Sequence, residues 1–169
     1  MENQCLNIKM HKAIFLDRDG IINIERKDYV KSIKEFVLID GIFENIKLIK
    51  DKGYLVIIIT NQSVINRKII NEKDLEKIHN HLLKQAKRQN VKIDGIYFCP
   101  HRPDENCECR KPKPGMILKA AQEFQIDLKN SVMIGDSNTD IEAAQQAGCH
   151  GILVEESDSL TNIIKKYLE

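Results

Sequence analysis

Asp17 and Asp19 flank one residue at the end of a short apolar run, Ala13-Ile14-Phe15-Leu16, and Gly20 follows them. Two carboxylates this close, where a buried strand runs out, repel each other unless a cation offsets them. If the strand belongs to a parallel sheet, its carboxyl end is where doubly wound folds bind ligands. An aspartate oxygen can attack phosphorus directly and form a labile aspartyl-phosphate, which makes Asp17 the candidate nucleophile. Asp19 is placed to protonate the leaving oxygen and later to take a proton from water, work that suits a modestly raised pKa. In isolation such a pair also fits an ordinary solvated surface, so the rest of the chain decides.

Three other segments supply partners for a phosphate. Thr60-Asn61 closes the apolar run Tyr54-Leu55-Val56-Ile57-Ile58-Ile59 and offers a hydroxyl, an amide and backbone N–H groups to phosphate oxygens. Lys111 is a compact positive charge suited to hold the phosphate and counter the carboxylates. Gly135-Asp136 ends a further run, Val132-Met133-Ile134, and Asp140 stands four residues on. Mg²⁺ bound by Asp17, Asp136 and a backbone carbonyl near Asp19 would let a phosphate dianion approach. Asp140 is expected to act through water or to orient a neighbour.

A second cluster has a different chemistry. Cys99-x-His101 and Cys107-x-Cys109 are separated by the hydrophilic stretch 102–106. Three thiolates and an imidazole make a closed tetrahedral set for Zn²⁺, with no position left for substrate, so the predicted zinc is structural. It would pin a loop with little core of its own, residues 99–109, and carry Arg110-Lys111 to the phosphate on its trailing edge. The chain has five cysteines, an odd number that favours metal binding over disulfides. Cys5 and Cys149 lie apart and read as ordinary thiols.

The elements that must position these residues follow from periodicity. Strands are expected over 12–16, 54–59, 93–98, 131–134 and 151–154. Helices are expected from Ile42 to a stop at Gly53, from a cap at Asn71 through Arg88, from Pro114, over Asn138–Ala147 with Gly148 as the stop, and from a cap at Ser159. Alternation of strand and helix predicts an α/β three-layer sandwich with a mainly parallel, Rossmann-like sheet. Parallel strands bring Asp17, Thr60, Cys99 and Asp136 to one rim. His79 and His81, two apart on one helix, do not share a face and are expected to be solvated or partly packed. The 169 residues read as a single domain, 1–169, with a formal net charge of +1.

That balance argues against a nucleic-acid partner, and the local positives Arg102, Arg110, Lys111 and Lys113 suit a small anion. No secretory pattern opens the chain and no apolar run is long enough to span a bilayer, so a cytoplasmic monomer free of the membrane is expected.

Asp17-Arg18-Asp19-Gly20, Thr60-Asn61, Lys111-Pro112 and Gly135-Asp136…Asp140 resemble, in order, the four motifs of the haloacid dehalogenase (HAD) superfamily, over nearly the whole chain. The resemblance implies a phosphatase with Asp17 as nucleophile, Asp19 as acid/base, Thr60 and Lys111 on the phosphate, and Mg²⁺ on Asp17, Asp136 and the Asp19 carbonyl. Neither inter-motif segment has room for a cap domain.

Cys-Pro-His…Cys-x-Cys-Arg-Lys-Pro narrows the resemblance to a zinc-containing branch that includes heptose bisphosphate 7-phosphatases and histidinol-phosphate phosphatases. The flap around Tyr29-Val30, the segment Thr60-Asn61-Gln62-Ser63 with Arg67, and Lys111-Pro112-Lys113-Pro114-Gly115-Met116 look more like the heptose enzymes. This implies a small phosphorylated sugar as substrate, the C7 phosphate of D-glycero-D-manno-heptose 1,7-bisphosphate, for the synthesis of surface-polysaccharide precursors. Arg67 and Arg110 would then touch sugar hydroxyls or the distal phosphate. Two departures from the branch are plain: no glycines surround Arg67, and Ser137 stands where a basic residue is common. The alternatives are a histidinol-phosphate phosphatase, a less specific sugar-phosphate or nucleic-acid end phosphatase, and a non-enzymatic phosphoacceptor module.

Overall fold

Five short apolar runs build the centre of the molecule. The computed structural model describes residues 10–169, so Cys5 and the rest of the first nine residues lie outside the described region. The strands are β1 (Ala13–Leu16), β2 (Leu55–Asn61), β3 (Gly95–Cys99), β4 (Val132–Gly135) and β5 (His150–Leu153). All pair in parallel in the order β3-β2-β1-β4-β5. The chain steps outward from β1 through β2 to β3, then returns to the other side of β1 for β4. The crevice of a doubly wound sheet opens where that direction reverses, between β1 and β4.

Helices cover both faces, which is why β1, the middle of β2 and β4 are apolar without alternation. On one face Ile14, Leu16, Val56, Ile58, Val132 and Ile134 pack under α1 (Ile42–Asp51), α2 (Glu72–Arg88) and α5 (Leu160–Leu168). On the other, Ala13, Phe15, Ile57, Ile59 and Met133 pack under α3 (Gly115–Phe124) and α4 (Asn138–Ala147). Each fully buried Ile, Leu or Phe contributes about 1.5–3 kcal/mol by leaving water. The expected three-layer α/β sandwich is the architecture found.

The helix boundaries follow local chemistry. Asn71 caps α2, its side chain accepting from the Asp74 N–H. Ser137 and Asp140 form a capping box at the start of α4, and Gly148 ends it in the left-handed conformation (φ 84°). Ser159 accepts from the Asn162 N–H and starts α5. Pro114 caps α3 from just outside the helix. Three single 3₁₀ turns, at Ile33–Glu35, Pro103–Glu105 and Leu128–Asn130, carry no periodic pattern and were not expected from the sequence.

Candidate active site

Asp17 continues β1 beyond its last residue, its N–H donating to the Ile134 carbonyl at 3.0 Å. The nucleophile candidate is therefore fixed by the sheet itself. Asp136 follows β4 directly, and the carboxylate oxygens of Asp17, Asp136 and Asp140 all lie within 4.8 Å of one another. Gly20, at φ 87°, gives them room: a Cβ there would overlap the Asp136 carboxylate. Gly135 does the same for Asp140. An all-oxygen, anionic donor set of this kind fits a hard divalent cation such as Mg²⁺.

Lys111 is the counter-charge. Its ammonium is buried and lies 2.9 Å from Asp17 Oδ1, beside Asp140 Oδ1, and donates to the Ile59 carbonyl at 3.0 Å. Burial alone would lower its pKa, but the two carboxylates outweigh that and raise it, so it stays charged. Asp140 also accepts from Ser137 through N–H and hydroxyl, which commits it to orienting Lys111 and the start of α4. Asp17 is pushed up to about 7, mainly by burial and further by Asp140, with Lys111 pulling against both. Asp136 is raised for the same reasons: burial, then Asp140 and Glu25.

Asp19 departs from expectation. Burial pushes its pKa up, yet the Arg18 guanidinium and hydrogen bonds from Arg18, Asn23 and Gln62 outweigh it and hold the carboxyl below its ordinary value. Arg18 Nη2 donates to both oxygens at 2.9 Å, Asn23 Nδ2 to Oδ1 at 2.9 Å, and Gln62 Nε2 to Oδ2 at 2.9 Å. None of these three partners was singled out from the sequence. A charged residue between two aspartates reads as a solvated charge, but Arg18 turns inward and is only 1% exposed.

The remaining candidates divide. Thr60 is buried at the floor, its Oγ1 accepting from Gln62. Asn61, expected on the phosphate, instead spends its amide on the Lys111 backbone, donating to the carbonyl and accepting from the N–H, both at 3.1 Å. It holds the lysine in place while also lining the cavity.

A cavity of about 290 Å³ opens over these groups, walled by Asp17, Asp19, Thr60, Lys111, Asp136 and, from the flap after β1, Arg26, Lys27 and Tyr29. Tyr29 holds a left-handed backbone (φ 66°), a conformation that costs a non-glycine residue about 1 kcal/mol or more. Arg67 and Arg110 do not line this cavity. Arg67 is exposed, with Nε donating to Ser63 Oγ at 3.3 Å. Arg110 Nη1 donates to the His101 carbonyl, and Arg110 lines a separate small cavity with Arg102 and Lys113. The loop from Cys99 to Cys109 thus holds the arginine on its own backbone.

His101 Nδ1 sits 3.3 Å from the sulfurs of Cys99 and Cys109, Cys109 3.0 Å from Cys99, and Cys107 3.5 and 3.6 Å from the other two thiols. A disulfide needs about 2.05 Å, so no pair is bonded. Four soft and borderline donors at nearly tetrahedral-edge spacing fit a metal, and the Arg110 N–H donating to Cys107 Sγ supports an anionic thiolate.

This fold, with its aspartates and lysine at the switch point, defines a HAD-like hydrolase. A HAD-hydrolase-like family model matches residues 108–165, the part containing Lys111, Asp136 and Asp140. The chain is 51% identical over 136 residues to the D-glycero-α-D-manno-heptose-1,7-bisphosphate 7-phosphatase of Campylobacter jejuni, covering 80% of this chain and 77% of the relative. It is 50% identical to the β-anomer 7-phosphatase of Helicobacter pylori strain J99, over 83% of this chain and 80% of that one. The crystal structure of D,D-heptose 1,7-bisphosphate phosphatase from B. bronchiseptica, complexed with magnesium and phosphate, superposes with a TM-score of 0.80 at 37% identity, over 84% of this chain and 79% of its own. The chain belongs to the heptose-1,7-bisphosphate 7-phosphatase family of HAD-like phosphatases.

Proposed function

We propose that this chain removes the C7 phosphate of D-glycero-D-manno-heptose 1,7-bisphosphate through an aspartyl-phosphate on Asp17. The observation that carries the reading is the convergence of Asp17, Lys111, Asp136 and Asp140 on one strand edge, in a chain half identical to two such phosphatases. Asp17 Oδ attacks phosphorus and the bond to the sugar O7 breaks. Asp19, which Arg18, Asn23 and Gln62 favour as the carboxylate in the free chain, must take up a proton as the anionic phosphate binds beside it, and delivers that proton to the leaving oxygen. Water then attacks phosphorus, Asp19 takes its proton, and inorganic phosphate leaves with Asp17 restored. Lys111 and the Thr60 hydroxyl hold the phosphate oxygens, while Asn61 and Asp140 hold Lys111. Asp17, Asp136 and the Asp19 backbone carbonyl would hold Mg²⁺, which supplies charge neutralisation and Lewis-acid polarisation of the phosphoryl group. Cys99, His101, Cys107 and Cys109 would hold Zn²⁺, which supplies folding energy to the loop carrying Arg110 and Lys111.

Positive side chains on the pocket wall favour a substrate with a second phosphate over one with an amine. Lys27 lines the cavity with no ion-pair partner among the described residues, whereas Arg26 is paired with Asp28 and Glu35 and Glu25 shares the wall, so repulsion of the histidinol phosphate cation rests on Lys27. The test is kcat/KM for both anomers of the heptose bisphosphate and for histidinol phosphate. A clear preference for the bisphosphate is expected, and a preference for histidinol phosphate would overturn the reading.

A further inference from the structure

His79 projects from α2 toward the back of the catalytic pair. It is 8% exposed, and its Nε2 lies 3.3 Å from Arg18 Nη1. A guanidinium has donors only, so the imidazole nitrogen must be the acceptor, which leaves the proton on Nδ1. The ring is neutral: burial, with the Arg18 charge beside it, depresses its pKa to about 3. Phe98 lies against it with ring centroids 6.0 Å apart, and Phe36 flanks the guanidinium at 5.8 Å.

The orientation of Arg18 therefore depends on few contacts. Its Nε is buried and has no hydrogen-bond partner among the described residues. Nη2 is given over to the Asp19 carboxylate, so Nη1 to His79 is the polar contact that anchors the far side of the plane. If that acceptor is lost, the guanidinium can pivot about its bonds to Asp19, leaving Asn23 and Gln62 alone to set the carboxylate's position. Misplacement of a reacting group by about 1 Å can cost about 10²-fold in rate.

We infer that His79 is a positioning residue for the reaction, fixing the carboxylate of Asp19 through the buried guanidinium of Arg18. The inference depends on the acid/base role proposed for Asp19. It makes α2, which contributes no group to the pocket wall, part of the machinery that aims the proton.

The test uses leaving groups. A sugar alkoxide must be protonated as it departs, whereas p-nitrophenolate leaves without help, and kcat/KM reports the steps through that departure. In His79→Phe, which keeps the ring against Phe98 and removes the acceptor, kcat/KM for the heptose bisphosphate should fall about 10- to 10²-fold. The fall for p-nitrophenyl phosphate should stay within about threefold under the same selective effect. His79→Gln, whose amide oxygen can reach the position of Nε2, should recover most of the loss on the sugar phosphate. His79→Asn, too short to reach Arg18, should not, and the Gln–Asn contrast decides the matter if the Phe variant does not fold.

Equal losses on both substrates, or no loss on either, would overturn the inference. Asp19→Asn measured alongside separates the two ideas. A leaving-group-selective loss there with none in the His79 variants overturns the positioning role alone. No selectivity in Asp19→Asn removes the acid/base reading and the inference with it.

Discussion

At the scale of single residues, the site is a set of charges that the fold holds at a cost. Asp17 must be ionised to attack phosphorus, yet burial raises its pKa to about 7 against Lys111. Asp17→Asn removes the nucleophile and one oxygen of the proposed metal site, so turnover should drop to background; residual activity above a few per cent of wild type, roughly, would reject covalent catalysis at this position. The same pKa shift has a pH signature. Its folded value lies above the ordinary 3.8, so the folded state retains a proton that the unfolded chain has lost. The stability linked to this group is fully present below about pH 4 and disappears as pH rises through about 7. A divalent cation between Asp17 and Asp136 offsets the ionised carboxylates, so the rise in Tm on adding Mg²⁺ should be larger near pH 8 than near pH 5. Thermal melts with and without Mg²⁺ at both pH values check this, and an equal rise at both would contradict it. Asp17, Asp136 and Lys111 were legible in the sequence because each follows a point where a strand or a metal loop must end. Arg18, Asn23, Gln62 and His79 were not, since their role depends on which way a side chain turns, and polar residues beside a loop or on a helix read equally well as solvated.

At the scale of elements, the cysteine-histidine loop and the flap do different work. The loop from Cys99 to Cys109 contains one 3₁₀ turn, and most of its residues are exposed or half-buried, so little apolar burial holds it. Cys99, His101, Cys107 and Cys109, holding the proposed zinc, would replace that missing core. Protein prepared without added zinc should carry one tightly held zinc per chain by metal analysis. Cys107→Ser should lose it and melt at a lower temperature, and a metal-free wild-type protein of unchanged stability would reject the assignment. Because Asn61 ties the Lys111 backbone to the end of β2, the lysine has a second anchor outside the loop. Cys107→Ser should accordingly reduce kcat/KM less than Asn61→Ala combined with it, which steady-state kinetics on the single and double variants can measure. Helix ends were readable to the residue where a cap sets them, through the side chain at Asn71 and the left-handed backbone at Gly148, because a cap is a local interaction. Strand ends shifted by one or two residues, as at β3 and β5, because pairing with a neighbour rather than local sequence decides where a ladder stops.

At the scale of the whole molecule, the sheet order explains how residues far apart in the sequence make one active site. Reversal of direction between β1 and β4 opens a crevice between Asp17 and Asp136, and the α/β alternation in the sequence was enough to foresee that convergence. What the alternation left open was which basic residues reach the crevice. Arg67 and Arg110 lie outside the cavity wall, Arg67 exposed and Arg110 donating to the His101 carbonyl, while the flap brings Arg26 and Lys27 to it. The flap is a short loop, and among the described residues no separate layer folds over the cavity. Enzymes that close a domain over their substrate can use remote binding energy to assemble the catalytic groups, and truncated substrates then lose kcat. Here Asp17, Asp140 and Lys111 are already in contact, so distant parts of the sugar should mainly add binding. Replacing the heptose bisphosphate by a small alkyl monophosphate of similar leaving-group basicity should therefore raise KM by about 10-fold or more while kcat changes by less than about fivefold, as expected for loss of uniform binding. Lys27→Ala should raise KM for the bisphosphate and leave the monophosphate little changed, if charge on the flap meets the second phosphate. A collapse of kcat on the monophosphate, with KM held constant, would mean instead that the flap must be drawn in by the sugar before the groups on the sheet edge can react.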